Sequence, residues 1–233
     1  MKFVPVRRPP AQLVFVSFAL VSLLALPTSA QEGKPPVAAI GFSLDFPQSI
    51  PDHYQISVSS EGNASYDSTG KLTPDAEPGD PFHFDFTISA ANLKRIFELA
   101  AKAKFFEGQV DSGKHNLAST GAKVLTYTNG SHHTQAAYNY SPIPAVQEIT
   151  ALFQNMSTTL EFGRRLDYYH HHQKLALDEE TRRMEQMANE KSLEEIQAVA
   201  PILQRIVADQ SVLNITRARA QRLLNGRAIG AAH

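Results

Sequence analysis

The sequence of 233 residues contains no cysteine. This absence excludes a disulfide framework, a thiol nucleophile, a metal site built on thiolates and a lipidated N-terminal cysteine. Neither a G-x-S-x-G elbow, nor an H-E-x-x-H metal motif, nor a complete glycine-rich phosphate loop occurs. After residue 30, no stretch is apolar for long enough to cross a bilayer as a helix. The common catalytic signatures therefore give no assignment.

The first thirty residues have the layout of a secretory signal. Lys2, Arg7 and Arg8 form a positive start, residues 11–26 carry no charge, and small residues end the segment. We expect cleavage after Ala30, which makes 1–30 a signal peptide and the mature protein secreted or periplasmic. A retained membrane anchor is the alternative, but about 16 apolar residues fall short of the roughly 20 that a spanning helix needs.

Without this segment the chain is mildly acidic. The 19 remaining basic residues face 23 acidic ones, a net charge near −4. Such a chain has no electrostatic reason to bind nucleic acid or an anionic membrane. About 200 residues remain, which is enough for one sizeable core without disulfides.

Apolar residues that alternate with polar ones predict several β-strands. Segments 37–46, 54–58 and 64–68 fit this pattern, and the clearest strand carries Phe82, Phe84, Phe86 and Ile88 on one face. A hairpin is predicted over 122–138 with Asn129-Gly130 at its tip, which places Tyr127 opposite His132 and Thr126 opposite His133. We expect an antiparallel sheet of about five to six strands.

Two helices are predicted to pack on this sheet, completing an α+β fold over residues 31–160. The first lies near 91–104, is capped by Ser89 and buries a stripe at Leu93, Ile96, Phe97, Ala100 and Ala101. The second covers 142–160, with Pro142 in its first turn.

From Glu161 the composition changes to dense charge and strong helix formers, which predicts an α-helical C-terminal extension over 161–226. Ser192 to Glu195 has the pattern of a capping box, and Pro201 is expected to kink or end a helix. A last helix at 211–224 is predicted to stop at Asn225-Gly226, leaving a disordered tail at 227–233.

The most plausible catalytic candidates lie on the polar face of the phenylalanine strand. His83 and Asp85 share that face, as a general base and its orienting carboxylate would, and His133 is a third candidate. The same alternation occurs in any amphipathic strand with one solvated face. Surface packing is therefore the competing interpretation.

Other histidines and carboxylates do not have the spacing of metal ligands. Consecutive residues of His170-His171-His172 point about 100° apart on a helix, and His132 and His133 face opposite sides of a strand. The carboxylates Asp67, Asp75, Glu77 and Asp80 do not match a calcium loop. We expect no metal and no cofactor.

The order of these marks resembles a group of uncharacterised small secreted bacterial proteins. The marks are Tyr54-Gln55-Ile56-Ser57-Val58, the turn Glu61-Gly62-Asn63, the step Phe105-Phe106, Gly121-Ala122-Lys123, and the helix at 141–160. The resemblance covers about residues 37–160. It implies export and an α+β fold, and it carries no activity.

The sequence is compatible with two functions. The first is an exported, soluble envelope protein of unknown activity that acts as a non-catalytic binding or interaction module. It would use the polar sheet face or contact a protein partner through the helical extension. The alternative is a hydrolase or metal-assisted enzyme that uses His83 and Asp85, with His133 as a further residue. The first is favoured because no group of residues reaches the standard of a catalytic site.

Overall fold

The structure is a computed structural model that describes residues 37–47, 49–73, 77, 79, 81–114 and 116–230, without the side chains of 227–230. The expected signal peptide at 1–30, the segment 31–36 and the last three residues of the expected tail lie outside this range.

Six strands form a single antiparallel sheet in the order β4-β3-β2-β1-β5-β6. Their bounds are β1 Ala39–Asp45, β2 His53–Ser59, β3 Asn63–Thr69, β4 Phe82–Thr87, β5 Ala122–Asn129 and β6 His132–Tyr138. The expected α+β fold with an antiparallel sheet is confirmed.

The two faces of the sheet differ because each strand alternates apolar and polar residues. Residues such as Phe42, Ile56 and Leu125 are buried against helices, and the ring of Phe42 stacks on Phe153 with centroids 5.5 Å apart. The opposite face carries small polar side chains, serines and threonines above all. Phe82, Phe84 and Phe86 face the helices as predicted but are half-buried, since β4 is an edge strand.

The hairpin forms, but its register differs from the prediction. Asn129 pairs with His132, Thr128 with His133 and Tyr127 with Thr134, so the two turn residues are Gly130 and Ser131. Gly130 has φ 59°, a conformation that glycine adopts without strain. Placing Asn129 inside the turn was therefore wrong, because glycine takes the first position of the turn.

Five α-helices and two 3₁₀ segments are present in the described residues. They are α1 Ala90–Lys102, the 3₁₀ segment Lys104–Phe106, α2 Pro144–His172, α3 Lys174–Asn189, the 3₁₀ segment Ile196–Val199, α4 Ala200–Ala208 and α5 Asn214–Gly230. Among them, no helix combines the length and the apolar character needed to cross a membrane.

Helix α1 begins as predicted, with the Ser89 hydroxyl accepting a hydrogen bond from the Asn92 amide. Its buried face differs in part from the predicted stripe, because Leu99 is buried whereas Ala101 is exposed. The capping box at Ser192 was wrong. Glu195 has left-handed backbone geometry, and its carboxylate instead binds Ser89 and Asn92 of the distant α1 N-terminus.

Prolines mark helix starts at positions other than those predicted. Helix α2 begins at Pro144, two residues after Pro142, and Pro201 lies in the first turn of α4 rather than kinking or ending a helix. Helix α5 continues past Asn225-Gly226 to Gly230, so the stop predicted there was wrong.

Helix α2 joins the sheet to the C-terminal helices. Its 29 residues span about 43 Å and run without a break across Leu160 and Glu161, where the composition changes. The core on both sides of that point is one cluster, which includes Phe153, Phe162 and Leu166. The helices after α2 therefore extend the same core.

Candidate functional site

A cleft of about 390 Å³ lies where the C-terminal helices meet the sheet. Its walls come from Leu44 at the end of β1, from Ile50 in the following loop, from Tyr54 in β2, and from α2 and α3. Polar and apolar side chains both line it. Its volume is within the range of small-molecule sites, and its lining joins the sheet to the predicted helical extension.

The buried carboxylate Glu161 forms part of the cleft lining. Only 1% of the residue is exposed, and its Oε1 accepts hydrogen bonds from the Tyr66 hydroxyl at 2.9 Å and the Ser68 hydroxyl at 2.7 Å. Among the described residues, its Oε2 has no hydrogen-bond partner and lies 3.8 Å from Arg164 Nη1, which also lacks one there. The Tyr66 hydroxyl is also 3.0 Å from Ser157 Oγ, so β3 and α2 meet at this carboxylate.

The tyrosines around Glu161 stay protonated. Burial raises the pKa of Tyr66 well above its ordinary value, and the negative charge of Glu161 raises it further. Burial likewise raises the pKa of Tyr54, which lines the cleft. A protonated Tyr66 donates its hydrogen to Glu161 and cannot remove one from Ser157, so Tyr66 does not act as a base for Ser157.

A second buried carboxylate, Glu180, lies on the α3 side of the cleft. Arg165 Nε donates to its Oε1 at 2.6 Å, and Arg183 Nη1 lies 3.4 Å from its Oε2. The guanidinium of Arg165 also stacks over the Phe162 ring, 4.8 Å from its centroid. Burial raises the pKa of the neighbouring Tyr169, and Glu180 adds to that increase. Two positive groups therefore share one negative group here.

His83 and Asp85 do meet, but on the open surface. His83 Nδ1 is 2.7 Å from Asp67 Oδ1 and its Nε2 is 3.3 Å from Asp85 Oδ1, with the imidazole side chain 57% exposed. The hydrogen bond to Asp67 raises the pKa of His83, and Asp85 raises it further. Because both ring nitrogens point at carboxylates, neither is free to accept a proton from a substrate.

His133 does not join this group. It lies on β6, at the opposite edge of the sheet from β4, and its Nδ1 is 3.1 Å from Thr128 Oγ1. Five strand spacings of about 4.8 Å separate the two edges by roughly 24 Å. The structure thus brings two of the three candidate residues together and leaves the third far away.

The remaining candidates pair with carboxylates on separate elements, and the His170 side chain is only 15% exposed. His170 Nε2 lies 3.0 Å from Asp209 Oδ2, and His132 Nε2 lies 3.3 Å from Glu107. Asp75 and Asp80 lie outside the described residues. Within the described ranges, no group of three or more histidine or acidic side chains is placed to hold a metal ion.

The cleft residues were not predicted from the sequence, although two sequence patterns involve them or their neighbours. Glu161 follows directly on the apolar stripe of α2 and lies one helical turn after Ser157, which puts a charge on a buried face. Ser68-Thr69-Gly70-Lys71 also matches the S-x-x-K spacing. That spacing places a catalytic pair only on a helix, whereas Ser68 lies in β3 and donates its hydroxyl hydrogen to Glu161.

No protein-family model matches the chain, and no curated protein is similar enough to it to count as a relative.

Proposed function

We propose that this protein is an exported, non-catalytic binding protein that takes a small polar molecule in the cleft between the sheet and helices α2 and α3. The observation that carries the proposal is a cleft of about 390 Å³ lined by two buried carboxylates, Glu161 and Glu180, together with Arg165. Buried charged groups are costly to a fold, and their concentration at one concave site is typical of ligand recognition.

Binding fits this chemistry better than catalysis. The Ser157 hydroxyl faces a tyrosine whose raised pKa keeps it protonated, and Glu180 is held by two guanidinium groups. Neither arrangement supplies an activated nucleophile, because Tyr66 keeps its proton and Glu180 is engaged by two guanidinium groups. The exposed group around His83 lies on the other face of the sheet and adds no residue to the cleft.

Export is the second part of the proposal. The charged, apolar and small zones of residues 1–30 support it, as does the resemblance to small secreted bacterial proteins. The helical extension gains a role in this scheme, because α3 contributes Glu180 and Arg183 to the cleft wall. That role is independent of any protein partner that the extension contacts.

The binding site is tested by NMR on ¹⁵N-labelled protein with a library of small polar fragments. We expect fragment-dependent shifts to concentrate at amides around the cleft. In the variant Gln154→Trp a large ring enters the cleft from α2, and these shifts should be lost. The matched control is Ala151→Trp, which places the same ring at an exposed position of the same helix outside the cleft.

Shifts that map to the open sheet face, or that persist unchanged in Gln154→Trp, contradict the cleft as the binding site. Turnover of a fragment that stops in Glu161→Gln would replace the binding function with a catalytic one.

A further inference from the structure

The charges of the cleft select a class of ligand. We propose that the ligand is a small organic anion, a carboxylate attached to an apolar body, whose negative group binds between Arg165 and Arg183. This inference rests on the proposed function, since it names the chemistry of the molecule that the same cleft would take.

Positive charge is in excess on the α3 side. Arg165 and Arg183 share the single carboxylate Glu180, so the three groups carry a net charge of +1. Glu161 does not neutralise this excess, because its charge is balanced by Arg164 at 3.8 Å on the same helix. An anion entering the cleft would balance the charge.

Donors for such an anion remain available. A guanidinium has five N–H groups, and among the described residues Arg165 makes one hydrogen bond, through Nε, and Arg183 makes one, through Nη1, both to Glu180. The other N–H groups of both residues can bind the paired oxygens of a carboxylate, which matches the planar geometry of guanidinium. Tyr169 lines the same side and stays protonated.

Apolar side chains line part of the remaining cleft, beside polar ones such as Gln154 and Thr158, and they would contact the body of the ligand. Leu44, Ile50 and Tyr54 come from the sheet side, and Phe162 and Met187 come from the helices. These walls favour an organic acid over inorganic phosphate, which offers no apolar surface to bury. The cation–π contact of Arg165 with Phe162 already fixes the guanidinium plane next to this apolar part.

Calorimetric titration with three molecules of the same shape tests the inference. Phenylacetate, phenylacetamide and phenethylamine share a ring but carry a negative, a neutral and a positive group, and inorganic phosphate is the fourth probe. We expect phenylacetate to bind at least about tenfold more tightly than the other three and to weaken as salt rises.

Two arginine variants connect this preference to the site. Arg183→Gln changes a side chain that is 58% exposed, so the fold should tolerate it, and Arg165→Gln removes the more buried donor. Each should weaken phenylacetate binding by about tenfold or more and leave phenylacetamide unchanged. Arg222→Gln is the control, because that guanidinium pairs with Glu185 away from the cleft.

Equal binding of phenylacetate and phenylacetamide, stronger binding of phosphate, or an unchanged affinity in both arginine variants overturns the anion assignment. So does the absence of binding by all four probes. If polar fragments still shift cleft amides in a manner that Gln154→Trp abolishes, the binding function stands and only the ligand class is wrong. If that signal is also missing, both proposals fail.

Discussion

Glu161, Glu180 and Glu195 are almost completely buried, and each carboxylate is stabilised differently. Glu161 accepts from two hydroxyls, Glu180 from guanidinium groups, and Glu195 from a serine and an asparagine at a helix start. A buried charge without such partners costs several kcal/mol. The three sites therefore constrain substitution strongly, and only the first two lie at the cleft.

His83, Asp67 and Asp85 differ from these buried carboxylates, because their side chains are exposed to solvent. The folded-state pKa of His83 is raised above the ordinary value of 6.5, first by Asp67 and then by Asp85. The stability that it contributes is therefore fully present below pH 6.5 and is lost as the pH rises through the folded-state pKa. The pKa of Asp67 is lowered, so its share is lost as the pH falls through that lowered value.

We expect NMR titration of the His83 ring to give a pKa above 6.5, and Asp67→Asn to move it down toward 6.5, because the largest cause of the increase is removed. Asp45→Asn, on the same open face but two strands further into the sheet, is the control and should not change the titration. If the titration midpoint of His83 is unchanged in Asp67→Asn, the His83 and Asp67 side chains do not interact in solution.

At the scale of elements, the start of α1 depends on a residue 106 positions away in the chain. The Glu195 carboxylate accepts hydrogen bonds from the Ser89 amide at 3.0 Å and the Ser89 hydroxyl at 2.6 Å, and from Asn92 Nδ2 at 2.7 Å. A negative group at a helix N-terminus also interacts favourably with the helix dipole. This contact attaches the C-terminal helices to α1 as well as to α2.

Replacing Glu195 by alanine should lower the free energy of unfolding by about 2 kcal/mol or more, since it removes the acceptor of the part-buried Ser89 donors and one of the two acceptors of Asn92 Nδ2. Glu190→Ala is the matched control, because Glu190 follows the end of α3, is exposed, and accepts a hydrogen bond from Gln186 of that helix. Urea denaturation followed by circular dichroism measures both variants. Equal midpoints would mean that water replaces the carboxylate without loss.

Elements with a strong internal period were predictable from sequence, and those that depend on distant partners were not. The alternation in 82–88 and the helical stripe after Ser89 identify β4 and α1, because burial repeats with the period of each element. Ser192 to Glu195 has the spacing of a capping box, yet its last glutamate caps another helix. A local motif cannot reveal a competing partner 106 residues away.

The cleft could not be predicted from the sequence either, because its residues come from distant parts of the chain. Tyr66 and Glu161 are 95 residues apart, and they meet only because α2 lies across β3. The sequence pattern instead indicated His83 and Asp85 as catalytic candidates, because they are two residues apart in one strand. Proximity in the chain identified a real contact, although not an enclosed site.

For the whole molecule, α2 connects the sheet with the later helices through one continuous core. The buried residues Phe162 and Leu166 follow Leu160 on the same helix, and Glu161 is the acceptor for two hydroxyls of β3. A chain ending at Leu160 would lose these contacts and half of the helix. The change in composition at 161 marks more solvent-exposed surface and not an end of the core.

Truncation after Leu160 should therefore abolish the cooperative thermal transition, measured by circular dichroism, and collapse the dispersion of the amide NMR spectrum. Truncation after Gly226 is the control, which keeps α3, α4 and most of α5 and should melt close to the full chain. A fragment ending at Leu160 with a sharp transition and native shifts would show that the sheet needs only α1 and the first half of α2.

The two edge strands of the sheet, β6 and β4, are shielded from pairing with other strands in different ways. Next to β6, the Thr134 hydroxyl donates to the Phe105 carbonyl of the 3₁₀ segment, so chain already covers that side. Strand β4 instead carries the polar side chains His83 and Asp85, which are exposed at this edge of the sheet. Charged side chains on a terminal strand discourage edge-to-edge joining of sheets. We therefore expect these side chains to discourage copies of this protein from pairing through β4.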